Sequence, residues 1–266
     1  MRAVPIQCLL IGALFAWSEA VDAQVPSESV EADVSTRNVA IKADFVGAEI
    51  VVFGAVENSR QPSAEAGTYD VVVIVEGAPS PVVVRRKANI GGIWVNTSSM
   101  RFASPPSYYA VSSTRPIQDV AEAKTLAQHE IGFEHIRMIP SASSLARISS
   151  ERELADFRDA IVRLKQRDGL YSQADYGVAF VGRTLFRATM PVPPNVPVGR
   201  LATRVFLFRD RLLLGQFKGQ VTLQREGLER LLYDGAYRQP LLYGFATVLL
   251  AAAAGLGAAF AFRREA

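Results

Sequence analysis

The sequence predicts a mainly β protein with added helix: an immunoglobulin-like β-sandwich unit, a helical middle segment, a second small β-unit and one C-terminal transmembrane helix. Three observations predict it. Short valine-rich runs punctuated by glycine fill residues 30–114, strand texture returns over 177–224, and Leu241 to Phe262 carries no charged residue.

Residues 1–23 read as a secretory signal peptide. Arg2 is a minimal basic region, Cys8 to Trp17 is a short apolar stretch, and Val21-Asp22-Ala23 offers small residues for cleavage after Ala23. The apolar stretch falls well short of the ~20 residues that span a bilayer, which argues against an uncleaved anchor. Cys8 is the only cysteine and lies inside this segment, so the mature chain is expected to contain no thiol, disulfide or thiolate metal site. Ile6 and Gln7 before it do not suit lipid attachment.

Residues 24–116 form the expected β-sandwich domain. Arg37 to Asp44 alternates through Val39, Ile41 and Ala43, Glu49 to Val56 is more continuously apolar, and Tyr69 to Val75 and Pro81 to Val84 are dense in valine. Gly47, Gly54, Gly67, Gly77 and the pair Gly91-Gly92 separate these runs. No cysteine pair of the antibody type is present.

Residues 117–169 change texture. Val120, Ala123, Ala127 and Ile131 stand at helical spacing and predict a helix from Gln118 to Glu130. After a serine-rich joint, Ser150 to Glu153 makes a capping box. Leu154, Phe157, Ile161 and Leu164 then form one stripe, and Gly169 follows as a stop.

Residues 170–225 are the expected second β-unit, with strands at Leu185–Pro191, Arg200–Phe208 and Arg211–Leu223. Pro191 to Gly199 holds four prolines and is expected as an extended loop, since proline cannot donate to a ladder. Residues 226–239 are a membrane-proximal helix with Leu228, Leu231 and Leu232 on one face. That face is expected to fold back on the β-unit, or else to meet the bilayer interface or a partner.

Residues 240–262 form the transmembrane helix. From Leu241 to Phe262 the rise is about 33 Å at ~1.5 Å per residue, enough for a hydrocarbon core of ~30 Å. Arg263 and Arg264 in the tail, 263–266, place the C-terminus in the cytoplasm by the positive-inside rule, and the signal peptide demands the same orientation. The intervening residues are therefore expected outside the cytoplasm.

Charge and motifs narrow the function classes. A net charge of +3, from 29 Lys and Arg against 26 Asp and Glu, is too slight and too spread for a nucleic-acid partner. His129 and His135 stand six apart, which turns them about 240° around a helix and separates them as metal ligands. No phosphate loop, dinucleotide fingerprint or nucleophile elbow occurs, so no catalytic residue, metal or cofactor is assigned and an enzyme is not expected.

The candidate binding residues are Arg85, Arg86, Lys87, Trp94, Tyr108 and Tyr109. The three cations follow the Val82–Val84 strand and suit an anion or a lipid headgroup; a solvated strand end that discourages edge pairing is the competing reading. Trp94, Tyr108 and Tyr109 suit an aromatic contact patch for a partner or glycan, or else pack in the core.

Gly92-Ile-Trp-Val-Asn96, Arg101 to Pro116, Val192 to Gly199 and Gly227-Leu-Glu-Arg-Leu-Leu-Tyr233 carry a resemblance. In this order they resemble the alphaproteobacterial putative transmembrane protein family, over nearly the whole mature chain. The resemblance implies a bacterial envelope protein with the topology above, in which the acceptor pattern Asn96-Thr97-Ser98 has little meaning as a glycosylation signal. It also associates the chain with sulfite-exporter-type permeases.

The reading as a whole is a single-pass inner-membrane protein with a periplasmic interaction module. Its partners are the lipid bilayer and an integral-membrane transporter or envelope complex. A periplasmic ligand- or glycan-binding module is the alternative, and an unrecognised hydrolase the second.

Overall fold

The computed structural model describes residues 27–41, 45–146, 148, 150–225 and 228–262; the expected signal peptide and the Arg263-Arg264 tail lie outside them. The chain runs through β1 (Ser29–Val34), β2 (Asn38–Ile41), β3 (Ala48–Glu57), β4 (Asp70–Gly77), β5 (Val82–Ile90), β6 (Ile93–Phe102) and β7 (Tyr109–Ser113). The helices α1 (Ile117–Val120), α2 (Ala123–Gln128), α3 (Ala142–Leu145) and α4 (Glu151–Arg167) follow. Then come β8 (Tyr171–Ala174), β9 (Val178–Val181), β10 (Leu185–Val192), β11 (Gly199–Arg209), β12 (Leu212–Arg225), α5 (Leu228–Arg238) and α6 (Pro240–Phe262).

A four-stranded sheet has the order β1-β3-β10-β9 and a six-stranded sheet the order β2-β12-β11-β4-β7-β8. The larger sheet is antiparallel inside, with parallel pairs at its two edges, β12 with β2 and β7 with β8. A separate two-stranded sheet holds β5 and β6.

The mainly β class with helix and a C-terminal apolar helix is therefore the architecture observed. The two expected β-units differ from the finding, because their strands share both sheets. β10 pairs with β3 and β11 with β4, so residues 170–225 complete the sandwich begun by residues 29–113. Local texture identifies strands but not partners, and closing a loop over a hundred residues costs little more than closing a short one.

The larger sheet is covered on both faces, which explains why Val71 to Val75 of β4 reads as a continuous apolar run and is wholly buried. One face carries Arg204, Phe206 and Tyr109, which meet the helical segment through His129 and Phe133 at ring distances of 5.5 and 5.9 Å. The other face turns toward the four-stranded sheet, whose strand β10 alternates exposed and buried along its whole length.

α4 begins as expected: the Ser150 Oγ accepts the Glu153 N–H at 3.2 Å, Phe157 and Ile161 are buried, and the helix ends before Gly169. The helix expected from Gln118 to Glu130 is instead two short pieces, because Ala121 is extended at φ −150 and ψ 164. Val120 and Ala121 are both buried there, so packing overrides local propensity. Pro191 is not in a loop but near the end of β10. It pairs there with Glu49 beyond the reach of β9, on an open edge where its missing N–H leaves no bond unmade.

α5 packs on α6, where an added Cβ at Gly235 would lie 3.4 Å from the Tyr243 ring. Leu232, one of the leucines expected against the β-unit, is exposed.

Candidate functional site

Five of the six candidate residues divide between a projecting hairpin and the core, and the sixth anchors that hairpin. β5 does not stop at Val84 but continues through Arg85, Arg86 and Lys87 to Ile90, and β6 returns from Ile93. The connection is Gly91-Gly92, with φ of 61 and 87, the left-handed pair that a two-residue hairpin turn of type I′ requires. The Gly92 N–H donates to the Asn89 side chain at 2.8 Å.

The register places Val82, Val84, Arg86, Ala88 and Ile90 on one face, opposite Phe102, Met100, Ser98, Val95 and Ile93. An extra residue, Thr97, bulges between the Arg86 and Lys87 pairs. Val84, Met100 and Phe102 are buried at the base of this face, whereas Ile90 is 59%, Ile93 67% and Val95 38% exposed at its tip. Trp94, 67% exposed, stands on the opposite face in the pair Asn89–Trp94, next to Lys87–Asn96.

Arg86 fastens the base. Its Nη2 lies 2.9 Å from the Asp156 carboxylate on α4, and its guanidinium sits 5.4 Å from the centre of the Phe157 ring. Arg85 lines a groove of about 320 Å³ between the hairpin and α4, with Asn96, Thr97, Ser99, Ser144 and Glu153 as polar wall and Phe157 beneath. Lys87 is exposed.

Tyr108 and Tyr109 are not part of any surface patch, being 0% and 1% exposed. The Tyr108 hydroxyl donates to the Pro191 carbonyl across the sandwich. The Tyr109 hydroxyl donates to the Glu130 carbonyl at 3.3 Å and accepts the Gly132 N–H at 3.0 Å, pinning the helical segment. Burial pushes both phenols well above their ordinary range. The core reading of these two rings is the one observed, because a side chain with a large ring and one polar tip fits a core wherever a backbone partner meets the hydroxyl.

The two histidines sit apart on different elements. His129 caps α2 and packs its ring at a tilt of 58° against Phe206, while His135 lies in the turn Phe133–His135. Among the described residues no three His, Cys, Asp or Glu side chains group as a metal-ligand set. A second cavity of about 220 Å³ is lined by Glu76, Tyr109, Glu130 and Arg137, with Glu76 held by Arg204 at 3.0 Å.

Sequence reasoning missed Ile90, Ile93 and Val95. The signal was available, since a Gly-Gly pair flanked directly by β-branched residues is a two-residue hairpin signature.

α6 completes the picture. Its Pro240–Phe260 stretch is 21 residues long, carries no charged residue and, although α5 lies against its start, has no residue buried within the described chain. The family described as Putative transmembrane protein (Alph_Pro_TM) matches residues 29–264, from β1 to beyond the end of α6. The chain belongs to this alphaproteobacterial family. No curated protein and no solved structure matches it. As in the family's description, the Alph_Pro_TM chain is a membrane protein, and among its described residues one helix, α6, is of spanning length.

Proposed function

We propose that this Alph_Pro_TM protein is a single-pass inner-membrane subunit whose extracytoplasmic β-domain is an interaction module rather than an enzyme. Its partner in this reading is an integral-membrane protein, with a sulfite-exporter-type transporter as the first choice. The observation that carries the reading is the division of labour along the chain. The buried core is built within residues 30–223, so the sandwich needs nothing from α6 to close, and α6 serves to hold the module among membrane neighbours. Arg263 and Arg264 after the span support a cytoplasmic C-terminus.

Affinity capture of the tagged full-length chain from mildly solubilised membranes tests the proposal. A specific integral-membrane protein should co-purify; recovery of the chain alone across several detergents would sink the partner reading. Orientation is read separately. A periplasm-active reporter fused after Gln239 should be active and one fused after Ala266 silent.

A second reading has its own observation. The groove beside Arg85 sets amide and hydroxyl groups from Asn96, Thr97, Ser99 and Ser144 around the Phe157 ring, a combination suited to a sugar or a small anion. Titration of the solubilised chain with envelope glycans, followed through Arg85→Ala, separates the two.

A further inference from the structure

The hairpin face that is buried at Val84, Met100 and Phe102 is crossed by the Arg86–Ser98 pair and turns apolar again at Ile90, Ile93 and Val95, where nothing in the described chain covers it. Four apolar side chains, Trp94 among them, stand exposed within the six positions from Ile90 to Val95. We infer that the tip of this hairpin seats in the anionic phospholipid surface of the membrane that anchors α6. The inference rests on the membrane-tethered reading above, which keeps the domain beside a bilayer, and goes beyond it by naming lipid as what the tip touches.

Charge selects the occupant. Residues 77–118 contain no Asp or Glu, while Arg85, Arg86, Lys87 and Arg101 all lie on the two hairpin strands. Arg86 is committed to Asp156; Arg85, Lys87 and Arg101 have no ion pair among the described residues. A surface that meets them must bring negative charge. A protein partner would have to supply both carboxylates and a fitted apolar socket, whereas an anionic bilayer supplies phosphates above hydrocarbon with no fit needed.

Depth agrees with that order. From Ile90 at the tip to Lys87 is three residues, roughly 10 Å of strand at ~3.3 Å each. Interfacial elements bury their apolar parts ~5–10 Å below the headgroups, so Ile90 and Ile93 reach the acyl boundary as Lys87 reaches phosphate. Trp94, beside Lys87–Asn96 on the other face, then occupies the depth that tryptophan prefers. The turn is also prepared for a less polar medium, because the Gly92 N–H is already taken by Asn89 and Gly91-Gly92 carries no side chain.

The experiment uses the full-length chain with Trp17→Phe, which leaves Trp94 as the only indole. It is reconstituted into vesicles of phosphatidylglycerol and phosphatidylcholine in equal parts, with and without bromine-labelled acyl chains. Trp94 emission should shift to the blue and fall at least about twofold with the brominated lipid, as for an interfacial indole. Phosphatidylcholine alone, or salt at about 1 M, should restore most of it. The double variant Ile90→Ser, Ile93→Ser should restore it as well, at an unchanged melting temperature.

Emission that ignores bromine overturns the inference, and crosslinking of the tip to an integral-membrane protein in native membranes would then name the occupant. Quenching that is equal in phosphatidylcholine alone overturns the anionic requirement. Partner capture is a separate measurement. A failed capture with quenched Trp94 sinks the partner reading alone, and a successful capture with unquenched Trp94 sinks this one alone.

Discussion

Arg86 and Phe157 meet face to cation at 5.4 Å, and through that contact the β5–β6 hairpin is held on α4. The contact joins two parts of the chain that no sheet hydrogen bond connects. Arg86 belongs to a two-stranded sheet which stands apart from the larger two, and an isolated hairpin is marginal in water. Its base is fixed by Val84, Met100 and Phe102 in the core, by the Arg101 N–H on Ser144 at 3.1 Å, and by Arg86 on α4. The outer half, from Lys87 through the turn to Asn96, has only its own ladder.

This division predicts opposite results for apolar residues on the same hairpin and helix. Phe157→Ala removes a buried ring and the platform under Arg86, and should cost about 3–5 kcal/mol in chemical denaturation of the solubilised chain. Ile93→Ser, at 67% exposure, should change stability by no more than about 0.5 kcal/mol. A large loss for Ile93→Ser would mean that the tip is covered by the chain's own residues.

At the other end of the molecule, Glu28 is a buried carboxylate. It takes the Arg209 guanidinium in an ion pair, accepts the Tyr69 hydroxyl at 2.6 Å and lies 3.5 Å from Arg60. Glu28→Ala leaves Arg209 facing an empty, mostly desolvated position and should destabilise by about 3–5 kcal/mol. Glu28→Gln keeps the shape and one acceptor, so its loss should be the smaller. Equal losses for the two would assign the effect to the charge, which both variants remove, and not to packing, which Glu28→Gln keeps.

How much of this was legible in the sequence follows the range of the interactions. α4 was readable to the residue because its cap, Ser150 to Glu153, and its stripe through Phe157 and Ile161 are local. The joining of β10 to β3 and of β11 to β4 was not, because the Arg204–Glu76 pair spans 128 positions and alternation carries no record of partner. Arg85 to Lys87 read from the sequence as a strand end, whereas they lie within β5, with Arg86 on the face opposite to Arg85 and Lys87. Three consecutive cations are poor strand formers on propensity, and only the turn at Gly91-Gly92 shows that the ladder runs on. Tyr108 and Tyr109 were ambiguous because a tyrosine presents the same letters in a patch and in a core.

Close approach between β1, β3 and β10 makes a sharp prediction at Gly54. A methyl group there would stand 2.4 Å from both the Glu31 carbonyl oxygen and the Phe186 ring, the latter in the core. Gly54→Ala should therefore cost at least about 1–3 kcal/mol as an overpacked site. Gly92→Ala meets nothing within 4 Å, and its cost should be limited to the strain of φ +87, about 1–2 kcal/mol. Denaturation curves that rank these two the other way would contradict the packing of β3.

The last prediction is a pH dependence carried by phenols. Burial pushes Tyr108, Tyr109 and Tyr171 well above the ordinary value of 10.0, because an ionised ring oxygen would lack water in the core. In the unfolded chain the same groups ionise near 10.0. The raised folded value means that their contribution is fully present below pH 10 and is lost as pH rises from there toward the folded values. Each group that is neutral when folded and ionised when unfolded removes about 1.36 kcal/mol per pH unit in that window. Stability of the solubilised chain should thus be insensitive to these three groups between pH 7 and 9, and fall steeply above 10. Tyr109→Phe loses the contacts to Glu130 and Gly132, and should be about 1–2 kcal/mol less stable at pH 7. Above pH 10, however, its curve should be flatter by about a third, so that the gap to the parent narrows with rising pH. Parallel curves from pH 9 to 12 would show that the Tyr109 hydroxyl reaches solvent, and with it that the helical segment does not seal the larger sheet.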